Sequence, residues 1–182
     1  MSTLHDDALS LLRGWTAPNA EQEAVRRAYV THLEAEPAGL RRDCLPEHIT
    51  ASTLIMSADH SEVLLTLHAK ANAWFQMGGH CEDQDSTLPG AALREAVEES
   101  GVLPLTLDPR PVQLNTHDVP FCDPGGTVRH LDVRFLAVAP EEAMHQVSAE
   151  SHDVRWWPVD ALPTAETGIV ELVALARSRL RD

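Results

Sequence analysis

Hydrophobic positions near the N-terminus recur with the spacing of two amphipathic helices. The first apolar stripe consists of Leu4, Ala8, Leu11, Leu12 and Trp15. Pro18 interrupts this pattern, and a second stripe, which starts after Asn19, consists of Val25, Ala28, Tyr29, His32 and Leu33. Because residues three and four apart share one face of a helix, the pattern predicts a helical arm within residues 1–45. Three roles remain open for the arm: packing on its own domain, packing on a second subunit, or covering a substrate.

The period of the pattern changes from helical to alternating at His48. Apolar and polar side chains alternate from Ile49 to Ile55, and after a turn the strand pattern resumes at residues 62–68, which predicts a β-hairpin. Further strands are predicted at residues 74–76, 112–119, 128–138 and 153–157, and a terminal amphipathic helix at residues 169–180. The breaker-rich stretch Pro120–Gly126 predicts a loop between two of these strands.

One further helix is predicted in the middle of the chain, at Ala91–Ser100. Mixed strands with one central and one terminal helix indicate the α/β class, with a sheet between helices. A chain of 182 residues with 43% hydrophobic composition suits one domain with a sizeable core. We therefore expect a single domain over residues 1–182, in which residues 46–182 form the core and residues 1–45 form the arm.

The net charge of the chain narrows the classes of partner that its surface can bind. At −14, it disfavours a nucleic-acid polymer or an anionic membrane, because both attract positively charged surfaces. A small phosphorylated substrate is still compatible with this charge, since bound cations can reverse the local field. No apolar run in the sequence reaches the roughly 18 residues of a membrane-spanning helix, so no membrane span is expected.

Cysteine usage and the N-terminal sequence bear on the cellular compartment. Cys44, Cys81 and Cys122 are odd in number and show no C-x-x-C spacing, which is typical of free thiols in a reducing compartment. Residues 1–7 lack the basic and apolar regions of a signal peptide. We therefore expect a cytoplasmic protein.

The segment Gly78–Val102 carries the densest group of candidate catalytic side chains, namely Arg94, Glu95, Glu98 and Glu99. If the predicted helix forms, the three glutamates stand at i, i+3 and i+4, which places their Cβ atoms within about 6 Å on one face. Like charges at this spacing repel each other, whereas a hard divalent cation such as Mg²⁺ binds carboxylate oxygens. The alternative is a solvated acidic helix face that has the arginine as its partner.

The same segment resembles the Nudix box, whose usual form is G-x5-E-x7-R-E-U-x-E-E-x-G-U, where U is a bulky aliphatic residue. The matching residues are Gly79, Arg94, Glu95, Glu98, Glu99, Gly101 and Val102. Asp85 stands in place of the first glutamate, and eight residues instead of seven separate it from Arg94. Ala96 replaces the larger aliphatic residue. We place the additional residue in the loop at residues 86–90, ahead of the helix.

This resemblance implies both a fold and a reaction. Nudix proteins fold as an α/β/α sandwich, and the family's enzymes hydrolyse a phosphoanhydride bond in a nucleoside diphosphate linked to another group, with Mg²⁺ or Mn²⁺ as cofactor. The resemblance implies Glu95, Glu98 and Glu99 as metal ligands. Glu98 and Glu99 are expected to take part in catalysis together with Arg94, which would orient a carboxylate. Gly79 would shape the substrate-binding loop.

Two further candidates lie outside the helix. Glu150 begins a segment that resembles the E-x5-W pattern of the family, which implies a general base or an additional metal ligand; a surface loop residue is the alternative. His80 follows the glycine pair and is a candidate substrate contact, with an exposed loop histidine as the alternative.

Two more histidines lie on the strands that flank the predicted loop at Pro120–Gly126. They and the acidic residues near them are His117, His130, Asp118 and Asp132. A metal site, the lining of a substrate pocket and ordinary strand packing all remain open for this group.

Two classes of function remain open from the sequence. A Mg²⁺-dependent pyrophosphohydrolase would act on a small phosphorylated substrate, which we expect to be a nucleotide. A non-catalytic domain would bind a nucleotide or a protein partner without turnover. All three helix glutamates are present, and this favours catalysis because a decayed enzyme is expected to lose carboxylates. A homodimer is considered for either class.

Overall fold

Helices and strands follow one another largely in the order that the hydrophobic pattern predicts. A computed structural model describes residues 3–149 and 151–181 of the chain. Its helices are α1 (Leu4–Gly14), α2 (Ala20–Ala35), α3 (Leu88–Ser100) and α4 (Thr167–Arg179). Its strands are β1 (Glu47–Met56), β2 (Glu62–His68), β3 (Ala73–Phe75), β4 (Met77–His80), β5 (Thr106–Asp123), β6 (Gly126–Val138) and β7 (Ser151–Pro158). Within the described residues, no helix is long and apolar enough to cross a membrane.

Strand β1 lies in the middle of a mixed sheet whose main order is β3-β2-β1-β6-β5. It pairs in parallel with β6 and antiparallel with β2 and β4, while β5 is antiparallel to β6, and β7 is antiparallel to β2. The pairing of Ile55 with Leu64 confirms the predicted hairpin of β1 and β2. Strand β4, which contains Gly79, lies against β1 at Ala51.

Alternation along β1 divides the sheet into two faces, and each face has its own helices. Ile49 and Ala51 point to one face, where they are buried in a cluster with residues of α1, α2 and α3. Leu54 and Met56 point to the opposite face, where α4 packs through residues such as Leu172. This arrangement confirms the predicted α/β fold with a mixed sheet between helices.

The N-terminal helices pack on the sheet and also support α3. Leu12 and Tyr29 are buried in the first of these clusters. Asp7 accepts a hydrogen bond from the backbone N–H of Leu88, in the first turn of α3, at 2.8 Å. The arm therefore packs on its own domain, while contact with a second subunit and covering of a substrate stay predictions.

We expect Asp7→Ala to lower the free energy of unfolding by about 1–2 kcal/mol, because it removes a helix-capping acceptor and an acidic group from the first turn of α1. Chemical denaturation followed by circular dichroism measures this change. Asp43→Ala is the matched control, since the Asp43 side chain is 75% exposed and pairs with Arg41 at the surface. The control is expected to lose less than about 1 kcal/mol. Equal losses in the two variants would contradict the capping role.

Helix α3 begins three residues before the predicted start at Ala91, so that part of the prediction is wrong. Leu88, Pro89 and Gly90 form its first turn instead of a loop. The Thr87 side chain caps the helix by accepting a hydrogen bond from the Gly90 N–H at 3.1 Å. Proline is tolerated in a first turn because its missing N–H would have no helical partner there.

The predicted loop at Pro120–Gly126 is wrong in its extent, because β5 and β6 form one long hairpin in which only residues 124–125 make the turn. The pairing shifts register between Val119 and Asp123, where a strand can accommodate a proline that has no N–H to donate. The tip of this hairpin reaches back over the sheet. There the ring of Phe121 stacks on that of His68, with 5.4 Å between their centroids.

Candidate active site

Helix α3 packs on the sheet through small residues. Ala92 and Ala96 are fully buried, and the hydroxyl of Thr53 in β1 donates to Ala92 O at 3.0 Å. Alanine lets the helix approach the sheet closely. This accounts for Ala96 at the position where the motif usually has a larger aliphatic residue. Gly101 ends the helix in the left-handed conformation (φ 69°) and donates its N–H to Val97 O at 2.8 Å.

The three glutamates of α3 extend from the glycines of β4 to the solvent. The carboxylate of Glu99, which is buried, accepts a hydrogen bond from the Gly78 N–H at 2.7 Å. A Cβ atom on Gly79 would lie 2.7 Å from Glu95 Oε2, so the strand approaches this carboxylate as closely as a glycine allows. The Glu95 side chain is 15% exposed and that of Glu98 is 58% exposed. The predicted acidic face is therefore partly buried and partly open.

Arg94 connects two of these carboxylates to the preceding loop. Its Nη1 atom donates to Glu95 Oε1 at 2.9 Å and to Glu98 Oε2 at 3.0 Å. Its Nε and Nη2 atoms donate to the two carboxylate oxygens of Asp85, at 3.1 and 2.9 Å. The Nη2 atom also donates to His80 O at 3.0 Å. The shorter side chain of Asp85 thus reaches the arginine despite the additional residue in the loop.

The charges of Arg94 and Asp85 reinforce each other. Burial by itself would raise the pKa of Asp85, but the hydrogen bonds from Arg94 and from the Glu82 N–H, together with the arginine charge, outweigh burial and lower that pKa below its usual value. Hydrogen bonding to Asp85 in turn raises the pKa of Arg94. Both groups are therefore charged at neutral pH, and the arginine is held against Glu95 and Glu98 by its hydrogen bonds on both sides.

The donor set on α3 fits a hard divalent cation. Asp85, Glu95 and Glu98 present three carboxylates to one guanidinium, and Glu99 adds a fourth carboxylate against β4, so negative charge is in excess. All of these donors are oxygens, the ligand type that Mg²⁺ and Mn²⁺ prefer. The exposure of Glu98 leaves one carboxylate accessible to an ion that arrives from solvent.

The ring of His80 lies on the other side of β4 from the Glu95 carboxylate, because successive side chains of a strand point to opposite faces. Its centroid is 5.1 Å from those of His48 and His130, and its Nε2 atom is 3.4 Å from Cys122 Sγ. Burial lowers the pKa of His80 to about 4. Contact of His80 with a substrate phosphate stays a prediction.

The alternative metal site considered on β5 and β6 does not form as a group. Of its two carboxylates, Asp118 is 62% exposed and pairs with Arg129 at 3.3 Å. Asp132 is buried and pairs with Arg134 at 2.9 Å. His130 instead joins the histidines around His80.

Glu150, the predicted general base, lies outside the described residues, and its role stays a prediction. The segment before it approaches the end of α3, because the Gln146 N–H donates to Ser100 O at 2.7 Å. The segment after it begins β7, which pairs with β2.

A cleft of about 640 Å³ opens beside the loop between β4 and α3. Arg41 and Arg42 line it together with Cys81 and Glu82, and Glu82 Oε1 lies 3.8 Å from Arg94 Nη1. The cleft thus adjoins the acidic face of α3 and contains two guanidinium groups, a group type suited to phosphate oxygens. Arg41 is paired there with Asp43 and Asp83, so a phosphate would have to compete with these carboxylates for it. Sequence analysis missed these arginines, although a basic pair shortly before β1 is a usable signal in a chain with a net charge of −14.

We expect Gly79→Ala to lower kcat by about 10- to 100-fold, because the added methyl group displaces the Glu95 carboxylate and small displacements in an active site are costly. Since only the end of a flexible side chain must move, the melting temperature should change little. Steady-state kinetics and thermal unfolding measure the two effects. Gly14→Ala is the matched control, because a Cβ atom there has no neighbour within 4 Å. Unchanged kcat in Gly79→Ala would contradict a role for Glu95 at the site.

Comparison with known proteins places this fold and site in a family. The family model of the NUDIX domain matches residues 46–176, a range that runs from the start of β1 into α4. A hydrolase of the NUDIX family from Clostridium perfringens has a TM-score of 0.56 and 22% identity, over 72% of this chain and 97% of that chain. The NUDIX domain of Shewanella oneidensis NrtR, solved with ADP ribose, has a TM-score of 0.57 and 20% identity, over 77% of this chain and 92% of that chain.

A third solved structure also resembles this chain. An Ap4A hydrolase from C. elegans has a TM-score of 0.56 and 20% identity, over 73% of this chain and 97% of that chain. No curated protein sequence shows a significant match. At these identities the solved structures establish the fold, while the family model spans most of the chain and includes the whole segment from Gly79 to Val102. The chain therefore belongs to the Nudix hydrolase superfamily.

Proposed function

We propose that the protein is a metal-dependent pyrophosphohydrolase that cleaves a phosphoanhydride bond in a nucleoside diphosphate linked to another group. The observation that carries this proposal is the arrangement of the α3 carboxylates beside β4, with Arg94 bonded to Glu95 and Glu98. A helix under selection for stability alone would not need three glutamates on one face, because like charges at this spacing are destabilising.

In this proposal Glu95, Glu98 and Glu99 hold Mg²⁺ or Mn²⁺. When bound, such an ion neutralises charge on the phosphate oxygens and lowers the pKa of a water molecule that attacks phosphorus. Arg94 orients Glu95 and Glu98, and its two hydrogen bonds to Asp85 stabilise its positive charge. The hydrogen bond from Gly78 fixes the Glu99 carboxylate against β4.

The substrate is proposed to bind in the cleft beside the loop between β4 and α3. Arg42 supplies positive charge for its phosphates, Arg41 does so in exchange for its ion pairs with Asp43 and Asp83, and Glu82 connects the cleft wall to Arg94. A nucleotide is the favoured substrate class because the similar Shewanella oneidensis domain was solved with ADP ribose and the similar C. elegans enzyme is an Ap4A hydrolase. Glu150 is kept as the candidate general base.

The proposed compartment is the cytoplasm. None of Cys44, Cys81 and Cys122 forms a disulfide bond, which suits a reducing environment. The sequence-based expectation of a homodimer stays a prediction.

A substrate panel tests the proposed function. Wild-type protein is incubated with ADP-ribose, NADH, diadenosine polyphosphates or coenzyme A, with Mg²⁺, Mn²⁺ or a chelator, and the products are separated by chromatography. We expect cleavage of the phosphoanhydride of at least one compound into two phosphorylated products with metal, and no cleavage with chelator. Binding of a nucleotide without any product across the panel would instead support the non-catalytic alternative. Equal turnover with and without metal would contradict the proposed role of the α3 carboxylates.

A further inference from the structure

A second group of candidate metal ligands lies apart from the α3 glutamates. It consists of His48 in β1, His80 in β4, Cys122 in β5 and His130 in β6. One ligand atom from each of these side chains lies within 4.8 Å of the ligand atoms of the other three. The Cys122 sulfur lies 3.4 Å from His80 Nε2 and 3.3 Å from His130 Nε2.

Strand register brings the three imidazoles together. His48 is directly paired with His130 across the parallel strands β1 and β6. His80 is paired with Thr50, which lies two residues after His48 and therefore points to the same face of the sheet. The hairpin of β5 and β6 then carries Cys122 over these rings, so the four side chains converge from four strands.

The His48 imidazole has a buried nitrogen without a hydrogen-bond partner. The residue is fully buried, and its Nδ1 atom lies 3.0 Å from Cys44 O. A backbone carbonyl can only accept, so Nδ1 carries the proton and Nε2 carries a lone pair. In the described part of the chain, this Nε2 atom has no hydrogen-bond partner. A buried nitrogen of this kind costs free energy unless it has a ligand, and a carbonyl on the other ring nitrogen is the usual orientation of a metal-binding histidine.

We propose that His48, His80, Cys122 and His130 bind one Zn²⁺ ion in a closed site with four protein ligands. Imidazole nitrogen and thiolate sulfur are the donors of structural zinc sites. Zn–N distances of about 2.0–2.1 Å and Zn–S distances of about 2.3 Å place the sulfur and each nitrogen of a tetrahedral site roughly 3.5–3.6 Å apart. The two sulfur–nitrogen distances, 3.4 and 3.3 Å, are close to this separation, so a small outward movement of the side chains would admit the ion. Binding would release the thiol proton of Cys122.

The two metal sites would differ in chemistry and in place. The α3 carboxylates are oxygen donors suited to Mg²⁺ or Mn²⁺, whereas the histidine–cysteine group suits a softer ion. His80 lies on the face of β4 opposite to the side approached by Glu95. Because Cys122 also lines the cleft, zinc would fasten the hairpin tip next to the proposed substrate pocket. The site would therefore be structural and would shape the cleft without entering the reaction.

Cobalt substitution tests the zinc site without relying on activity. Chelator-treated full-length protein is titrated with Co²⁺, and absorption is recorded for thiolate-to-cobalt charge transfer and for the intense visible bands of tetrahedral cobalt. We expect both signals to saturate at one Co²⁺ per chain, because the α3 carboxylates offer no thiolate, and to disappear when one equivalent of Zn²⁺ displaces this cobalt. Elemental analysis of untreated protein should find zinc. No charge-transfer band in the wild type, or copper as the native metal, would overturn the proposal.

Matched variants assign the signal to these residues. Loss of a residue that hydrogen-bonds to a metal ligand typically lowers metal affinity by about 10- to 100-fold. Cys122→Ser removes a ligand itself, so we expect it to weaken binding by at least about 100-fold and to abolish the charge-transfer band. Cys44→Ser keeps the backbone carbonyl that faces His48, and Glu98→Gln alters only the α3 carboxylates; both should retain the band. The band unchanged in Cys122→Ser would overturn the site, and circular dichroism shows whether each variant is folded.

Discussion

Glu99→Gln is expected to lower kcat/KM by about 100- to 1,000-fold, the largest effect on activity that we expect. The substitution removes one negative charge from the proposed metal ligands, and a bound metal ion supplies several kcal/mol of transition-state stabilisation. Glutamine keeps an oxygen that can accept the hydrogen bond from the Gly78 N–H, so the packing of α3 on β4 should survive. Steady-state kinetics over a range of Mn²⁺ concentrations measures the loss.

The control for this prediction is Glu171→Gln. It removes the same charge from an exposed position on α4, a helix on the opposite face of the sheet from α3. The control should retain wild-type kcat/KM and wild-type metal dependence. If Glu99→Gln and Glu171→Gln had the same kinetics, the buried carboxylate of Glu99 would have no part in the reaction.

Arg134→Met is expected to lower the free energy of unfolding by about 3–5 kcal/mol, the largest effect on stability that we expect, because it leaves a buried charge without its partner. Arg134 is 3% exposed and donates to Asp132 Oδ2 at 2.9 Å and to Gln113 Oε1 and Asn115 Oδ1 at 3.0 Å. Burial by itself would raise the pKa of Asp132, but the charge of Arg134, together with His117 and the hydrogen bonds from Arg134 and Ser52, outweighs burial and lowers it. Urea denaturation measures the loss.

Two further variants separate the buried pair from an ordinary surface ion pair. Arg110→Met removes an arginine that is 69% exposed and pairs with Asp108 at 2.8 Å, and it should cost no more than about 1 kcal/mol. The double variant Asp132→Leu/Arg134→Met should recover part of the stability lost in Arg134→Met, since the uncompensated charge is gone. A double variant less stable than Arg134→Met would contradict this explanation.

Local features of the sequence were sufficient to predict the acidic face of α3. The spacing of Glu95, Glu98 and Glu99 on a helix depends on residues within one turn, and Gly101 marks the end of that helix. Alternation from Ile49 to Ile55 likewise depends on neighbouring residues, which is why β1 and its pairing with β2 could be predicted.

The features that sequence analysis missed depend on contacts between distant segments. Proline suggests a loop at Pro120, but pairing with β6 and a shift in register keep β5 extended through it. His48, His80 and His130 meet only because three strands pair in a particular register. Alternation places His48 on one face of β1, yet it does not reveal which strands lie beside that strand.

Isotope labelling tests the central claim, metal-dependent hydrolysis of a phosphoanhydride, most directly. Wild-type protein is incubated with ADP-ribose, or with the best substrate from the panel, in ¹⁸O-labelled water with Mn²⁺, and the products are analysed by mass spectrometry. We predict two phosphorylated products, with one ¹⁸O atom per cleavage in the phosphate of one of them, and no products when the metal is chelated. Intact nucleotide after prolonged incubation, or products whose phosphate groups both lack ¹⁸O, would contradict the account.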